Sequence, residues 1–216
     1  MIGSVVLCPG HGDREPGRTW DPGAVHGTLQ ERALTGRVCE LGEPILRAAG
    51  AEVLVHDGPG YAREHDTAVA WLDARPGPGL YCSVHANIGG GDYVLVRPDF
   101  RSQAGRRAAA AIGDSLEDLP EVRAFRTDEL YPSASEASRA HRRPVAGSWE
   151  WWTRGWVCIS GLWEAQRAPG VLVELGFLDS RAHAALWTDE GLLRVADRLA
   201  AGVTSYLAAE AARRAA

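Results

Sequence analysis

Short apolar runs alternate with longer amphipathic stretches along this chain. Each run ends at Gly, Pro or a polar residue, which is typical of strands buried in a sheet. The amphipathic stretches carry apolar residues three and four positions apart, which predicts helices. The pattern predicts strands at 3–8, 51–55, 80–84, 93–96 and 170–175, and helices at 28–49, 61–74, 102–116 and 189–216.

This order of elements predicts a three-layer α/β fold, in which helices flank a mixed, mostly parallel central sheet. We expect a single domain over residues 1–216, with an irregular Trp-rich insertion at about 120–157. In the first helix, Thr28 and Glu31 have the spacing of a capping box, so Thr28 is the expected N-cap. Ligands of such sheets bind at the carboxyl ends of the strands.

Composition and charge narrow the possible classes. With 45% hydrophobic residues and 24% charged residues, the chain of 216 residues is typical of a globular protein. The net charge of −5 argues against nucleic-acid binding. No apolar run approaches the roughly 18 residues of a membrane span, and the N-terminus does not resemble a signal peptide. We therefore expect a monomer in the cytoplasm of the producing cell, with its four separated cysteines free and buried.

Two histidines and a carboxylate are placed to hold a metal ion. His11 and His85 each follow a predicted strand, and Glu31 lies in the first turn of the first long helix. Two imidazoles and one carboxylate are the protein ligands of many hydrolytic zinc sites. Glu174 interrupts an apolar strand, where a carboxylate is costly without a partner, so it is a candidate general base.

Other interpretations of these residues remain open. Either histidine is compatible with a structural role, Glu31 with helix capping, and Glu174 with an ion pair to a buried arginine. A rival metal set consists of the pairs Cys8-x-x-His11 and Cys82-x-x-His85. His26, near Glu31 in sequence, is a candidate for supporting a ligand.

A cluster of tryptophans and a nearby arginine form the candidate substrate-binding segment. Aromatic faces of Trp149 and Trp152 can stack on sugars, and Arg154 can pair with carboxylates. Asn87 is a further candidate for substrate contact. A small aromatic core that anchors a loop, a solvated arginine and a turn-capping Asn87 are the structural alternatives.

Four segments together resemble the zinc-dependent N-acetylmuramoyl-L-alanine amidases of the amidase-3 type. They are 8–12 (CPGHG), 21–25 (DPGAV), 83–87 (SVHAN) and 171–178 (VLVELGFL), with Glu31 in its expected place between the second and third. The resemblance covers residues 3 to 207. The departures are Cys8, where the family has Asp, a longer loop from His11 to Asp21, and Asp179-Ser180, where the family has Asn.

The resemblance implies that His11, Glu31 and His85 bind one Zn²⁺ per chain and that Glu174 is the catalytic carboxylate. It implies peptidoglycan as the substrate, cleaved at the amide between the lactyl group of N-acetylmuramic acid and L-Ala. Since neither a signal peptide nor a separate wall-binding domain is recognisable, a phage endolysin is the expected setting, with release through a separate membrane pore. The alternatives are a bacterial enzyme of wall remodelling or recycling, another zinc hydrolase, and a catalytically silent peptidoglycan-binding protein.

Overall fold

A six-stranded mixed sheet organises the protein in the computed structural model, which describes residues 1–12, 20–56, 67–68, 70–98, 102–127 and 168–216. The strands of the sheet are β1 (Gly3–Pro9), β4 (Ala51–Val55), β5 (Gly79–Asn87), β6 (Tyr93–Pro98), β7 (Ala124–Arg126) and β8 (Gly170–Phe177). A small hairpin pairs β2 (Val25–His26) with β3 (Leu29–Gln30). The helices are α1 (Glu31–Ala48), α2 (Gln103–Glu117) and α3 (Asp189–Ala215), with a 3-10 turn at Ala184–Trp187.

The strand order is β4-β1-β5-β8-β6-β7, so the two longest strands are central. All neighbouring strands are parallel except β6 and β8, which are antiparallel. This confirms the predicted fold class. The β1 strand is buried along its whole length, which explains why it appears in the sequence as an unbroken apolar run.

Side chains alternate between the two faces of the sheet and build a separate cluster on each. On one face, Val5, Cys82 and Val173 belong to the main core, against which α1, α2 and α3 pack. On the other face, Cys8 and Tyr81 belong to a second cluster with Leu72. In the described part of the predicted second helix, residues 67, 68 and 70–73 are helical and residue 74 is in a turn. None of the described helices has both the length and the apolarity needed to cross a membrane.

The predicted start of the first helix is wrong. The helix begins at Glu31, and its N-cap is Gln30, which makes no capping bond through its side chain. Thr28 instead lies in the exposed turn of the β2–β3 hairpin, after Gly27, whose φ of 59° suits glycine. The side chain of Glu31 is consequently available for contacts other than capping.

Other boundaries differ by a few residues. The β5 strand continues past the predicted end at residue 84 and includes His85 and Asn87, and β8 continues to Phe177. Residues 124–126, within the stretch predicted to be irregular, form the edge strand β7. Residues 128–157 of the predicted insertion lie outside the described residues.

Candidate metal and catalytic site

Three side chains from three elements meet at the carboxyl end of the central strands. His11 lies two residues beyond β1, Glu31 is the first residue of α1, and His85 is near the end of β5. One ligand atom from each lies within 4.8 Å of the other two. The two imidazole rings are nearly perpendicular, with centroids 5.3 Å apart. The structure thus brings together the three residues that the sequence analysis predicted as ligands.

The Glu31 carboxylate lies between the two histidines. Its Oε1 is 2.9 Å from Nδ1 of His85 and accepts a bond from the backbone N–H of Ala86. Its Oε2 is 3.2 Å from Nε2 of His11 and accepts a bond from the N–H of Ala24. Burial raises the pKa of Glu31, but its hydrogen bonds to the two histidines and their charges hold it well below its usual range. The group is therefore an anchored carboxylate.

The imidazole of His11 is held from its other side by Asp21. The Oδ2 atom of Asp21 lies 3.0 Å from Nδ1 of His11. The backbones of Gly12 and Asp21 also exchange two hydrogen bonds, which fixes the ends of the intervening loop. Burial lowers the pKa of His11, but hydrogen bonds and charges from Glu31 and Asp21 outweigh it and raise the pKa to about 9.

Ser83 supports His85 in the same way. Its Oγ lies 3.1 Å from Nε2 of His85, two residues along the same strand and on the same face. The opposite nitrogen, Nδ1, is the one that faces Glu31. In each histidine, one ring nitrogen contacts a separate oxygen partner, Asp21 or Ser83. The other ring nitrogen faces the carboxylate of Glu31, which the two histidines share.

Two glycines allow the close approach of these groups. A Cβ atom on Gly10 would overlap the ring of His85. At Gly23, which has a φ of +69°, a Cβ would lie 2.5 Å from Oε2 of Glu31 and 2.6 Å from Cδ2 of His11. The turns that contain these glycines therefore leave the space that the ligand side chains occupy.

Glu174 lies beside this cluster on the neighbouring strand. It is paired with His85 in the register of β5 and β8, so the two side chains are on the same face of the sheet. Its Oε2 is buried and makes no hydrogen bond within the described part of the chain. Burial raises the pKa of Glu174, opposed by the charge of His85 and reinforced by that of Glu31. An acid with a raised pKa suits proton transfer near neutral pH.

The predicted substrate-binding residues are less informative. Asn87 uses its Oδ1 to accept the backbone N–H of Ile88 at 2.8 Å, the contact of a turn-capping residue. The following turn is held by Asp179, whose carboxylate accepts the N–H groups of Gly89 and Gly90. Trp149, Trp152 and Arg154 lie outside the described residues.

The rival metal set of two cysteines and two histidines is not formed. Cys8 and Cys82 belong to clusters on opposite faces of the sheet. Burial raises the pKa of the Cys82 thiol to about 12, so it remains protonated. His26 is exposed in the β2–β3 hairpin. Cys8, Cys39 and Cys82 are buried, as predicted, and Cys158 lies outside the described residues.

Four supporting residues of the site were not assigned a role from the sequence: Gly10, Asp21, Gly23 and Ser83. All four lie in or beside the motif segments, so proximity to a candidate ligand is the signal that points to them. Their roles depend on contacts across the chain, which spacing alone does not reveal. The donor set of two imidazoles and one carboxylate, in which Glu31 and His85 are buried and His11 is partly exposed, fits a transition-metal ion of the zinc type, and Glu174 has an unpaired oxygen beside it. Together, the α/β fold and the site fit a hydrolase whose ligand cluster could hold a metal ion.

Comparison with known proteins specifies the class further. Residues 5–205 match the N-acetylmuramoyl-L-alanine amidase family, and the chain belongs to that family and its enzyme class. No curated protein sequence matches the chain.

Solved structures with the same fold come from several settings. Cwp6 from Clostridium difficile aligns with a TM-score of 0.66 and 19% identity over 94% of this chain, which spans only 29% of the length of Cwp6. The catalytic domain of CwlV, an amidase from Bacillus (Paenibacillus) polymyxa, aligns with a TM-score of 0.63 and 21% identity. The alignment covers 95% of this chain and 98% of the CwlV domain. The catalytic domain of CD27L, an endolysin targeting Clostridia difficile, aligns with a TM-score of 0.62 and 16% identity. The alignment covers 94% of this chain and 97% of the CD27L domain.

Proposed function

We propose that the protein is a zinc-dependent amidase that hydrolyses the bond between the lactyl group of N-acetylmuramic acid and L-Ala in peptidoglycan. The observation that carries this proposal is the convergence of His11, Glu31 and His85 next to the unpaired carboxyl oxygen of Glu174. Family membership supports the class of bond. The geometry supports hydrolysis, because a metal-ligand set and a separate acid–base group lie side by side.

One zinc ion per chain would be held by imidazole nitrogens of His11 and His85 and by the carboxylate of Glu31. When bound, zinc would supply Lewis acidity, which polarises the amide carbonyl and lowers the pKa of water. The carboxylate of Glu31 compensates positive charge at the site, and its bonds to two backbone N–H groups fix its position.

Glu174 would act as the general base and then as the general acid of the reaction. Its Oε2 accepts a proton from the attacking water and then delivers it to the nitrogen of the leaving L-Ala. Burial raises its pKa, which makes it a better acceptor for the proton of the attacking water and keeps that proton on Glu174 until the leaving nitrogen takes it. Two groups orient the imidazoles for this work: Asp21 at Nδ1 of His11 and Ser83 at Nε2 of His85.

Substrate contacts remain predictions for Asn87, Trp149, Trp152 and Arg154. Trp20 is a further candidate, since its side chain is 54% exposed and it directly precedes Asp21. An exposed indole next to Asp21 in sequence offers an apolar face to a sugar ring or a peptide stem.

The test is mass spectrometry of purified peptidoglycan fragments after incubation with the protein. We expect free stem peptides that begin at L-Ala, no release after chelation, and recovery of release when zinc is added back. Glu174→Gln, loaded with zinc, is the matched inactive control. Intact lactyl amides in the presence of zinc-loaded protein would refute the proposal and favour a different hydrolase or a silent binding protein.

We further propose host lysis, of the endolysin type, as the setting of this activity, with the enzyme in the cytoplasm until a membrane pore opens. Its support is limited to the fold, which an endolysin catalytic domain and bacterial amidases share with this chain. Wall remodelling is the compatible alternative.

The two roles, host lysis and wall remodelling, can be distinguished by expressing the protein inside a bacterium. The bacterium is one whose purified wall the protein digests. The endolysin role requires lysis when a pore-forming protein is co-expressed and none without it. Absence of lysis in both cultures would favour remodelling.

A further inference from the structure

A cavity lies at the end of the sheet opposite the candidate metal site. Its volume is about 280 Å³, and it is lined by the amino ends of β1 and β5, around Ser4 and Gly79, and by Arg75 and Arg214. The cluster of His11, Glu31 and His85 lies at the carboxyl ends of the same strands. The two sites are therefore separated by the length of the sheet. None of the residues that line this cavity belongs to the catalytic site.

One of the lining residues, Ser4, carries a buried hydroxyl group. Ser4 is only 1% exposed, and its Oγ has no hydrogen-bond partner among the described residues. A buried polar group without a partner destabilises the folded state. Such a group in a folded protein needs an explanation, and a bound ligand that accepts its hydrogen is one.

Two arginines line the same cavity, and both have their guanidinium groups held by other contacts. Arg75 lies over the ring of Trp71, donates from Nη1 to the carbonyl of Trp71, and donates from Nε to Glu52 at 2.5 Å. Arg214, in the last turn of α3, donates from Nη1 to the carbonyl of Gly77 at 2.6 Å. A guanidinium has five donors, so these bonds leave several N–H groups on each arginine for a ligand. The carboxylate of Glu52 pairs with Arg75, whereas Glu210, which interacts electrostatically with Arg214, forms its ion pair with Arg107.

We propose that this cavity binds a phosphate group, free or esterified to a small polar molecule. A phosphate has enough acceptor oxygens for two guanidinium groups and a hydroxyl at once, and arginine matches its geometry. The volume of 280 Å³ corresponds to about nine water molecules, at roughly 30 Å³ each, so a small ester fits as well as the free ion. The proposal concerns binding alone and does not depend on the amidase activity.

The experiment is calorimetric titration of the full chain with three probes: inorganic phosphate, glycerol 3-phosphate and glycerol. We expect inorganic phosphate and glycerol 3-phosphate to bind and glycerol not to bind. Whichever phosphate binds more tightly shows whether the natural ligand is the free ion or an ester. Arg214→Gln should weaken binding at least tenfold, because it removes a charged donor while leaving an exposed helix end intact. Arg37→Gln, an exposed arginine paired with Glu40 on α1, is the matched control and should leave affinity unchanged.

Ser4→Ala gives a signature that a purely structural serine would not give. Because its hydroxyl has no partner, removing it should leave the stability of the ligand-free protein unchanged or raised, while phosphate affinity falls several-fold. Phosphate binding that persists in both Arg214→Gln and Ser4→Ala would place the anion elsewhere, for example at the metal ligands, and overturn the proposal. Binding of glycerol as tight as that of glycerol 3-phosphate, or no phosphate binding at millimolar concentration, would overturn it too.

Discussion

Asp21 holds His11 by the nitrogen that faces away from the ligand cluster. Its Oδ2 lies 3.0 Å from Nδ1, while Nε2 of the same ring lies 3.2 Å from the carboxylate of Glu31. A carboxylate at Nδ1 keeps the proton on that nitrogen and leaves Nε2 as the electron-pair donor when a metal binds. His11 itself has a φ of 65°, an uncommon conformation for a residue other than glycine, and this contact helps to fix it.

Substitution of Asp21 by Asn should weaken metal binding more than it affects folding. The amide keeps the shape of the side chain but removes the charge that favours a protonated Nδ1. We expect zinc affinity to fall about 10–100-fold, the typical effect of losing a supporting partner of a metal ligand. Competition against a chromophoric chelator measures this, with Asp118→Asn as the control, because Asp118 forms only an exposed ion pair with Arg198. Equal zinc affinity in both variants would contradict the role of Asp21.

Glu174→Gln should separate metal binding from turnover. The substituted amide can neither take nor return a proton, so we expect kcat to fall about 10²–10⁴-fold. The zinc content should stay at one ion per chain, because the ligand set is unchanged. Release of stem peptides and metal analysis of the same preparation measure the two quantities, with Glu190→Gln on the exposed start of α3 as the control. A variant that loses zinc together with activity would make Glu174 a ligand.

Much of the fold follows from the sequence because the central strands are buried on both faces. An apolar run such as Val5 to Leu7 has few other uses in a globular protein, and its boundaries were predicted to within a residue or two. The prediction was less accurate where chemistry interrupts a strand. The polar residues His85 and Asn87 were expected beyond the end of β5, but they are part of it, because backbone pairing with β8 continues past the last apolar side chain.

For Glu31, the local sequence pattern predicted the wrong structural role, helix capping. The sequence analysis nevertheless selected the right residue as a candidate ligand. The spacing from Thr28 matches a capping box, but in the structure a hairpin turn occupies that position and the carboxylate contacts His11 and His85 instead. The role of Asp21 was missed because it depends on a loop whose ends pair at Gly12 and Asp21. No periodicity in the sequence signals such a closure.

Gly10→Ala should damage the site through volume alone. The added Cβ would overlap the ring of His85, so the imidazole must move away from Glu31. We expect a loss of about 1–3 kcal/mol in the free energy of unfolding, together with weaker zinc binding and lower activity. Gly36→Ala on α1 is the matched control, since its nearest neighbour is 3.9 Å from the added atom and the substitution should stabilise the helix by about 0.5–1 kcal/mol. Denaturant titration and chelator competition measure both variants, and an active Gly10→Ala enzyme of normal zinc affinity would contradict this account.

The zinc-free protein should lose stability as the pH rises from about 6.5 to about 9. The folded pKa of His11 is raised to about 9 from an ordinary value of 6.5, so protonated His11 stabilises the folded state below pH 6.5. That contribution declines as the pH rises and is absent above the folded pKa. In the same interval zinc must displace this proton, so its apparent affinity should increase by about tenfold per pH unit. Denaturant midpoints in chelator and zinc titrations at pH 6.5, 7.5 and 9 measure the two trends. Asp21→Asn should flatten both, because it removes part of the charge that raises the pKa of His11, and a zinc affinity independent of pH in the unsubstituted protein would exclude His11 as the protonated ligand.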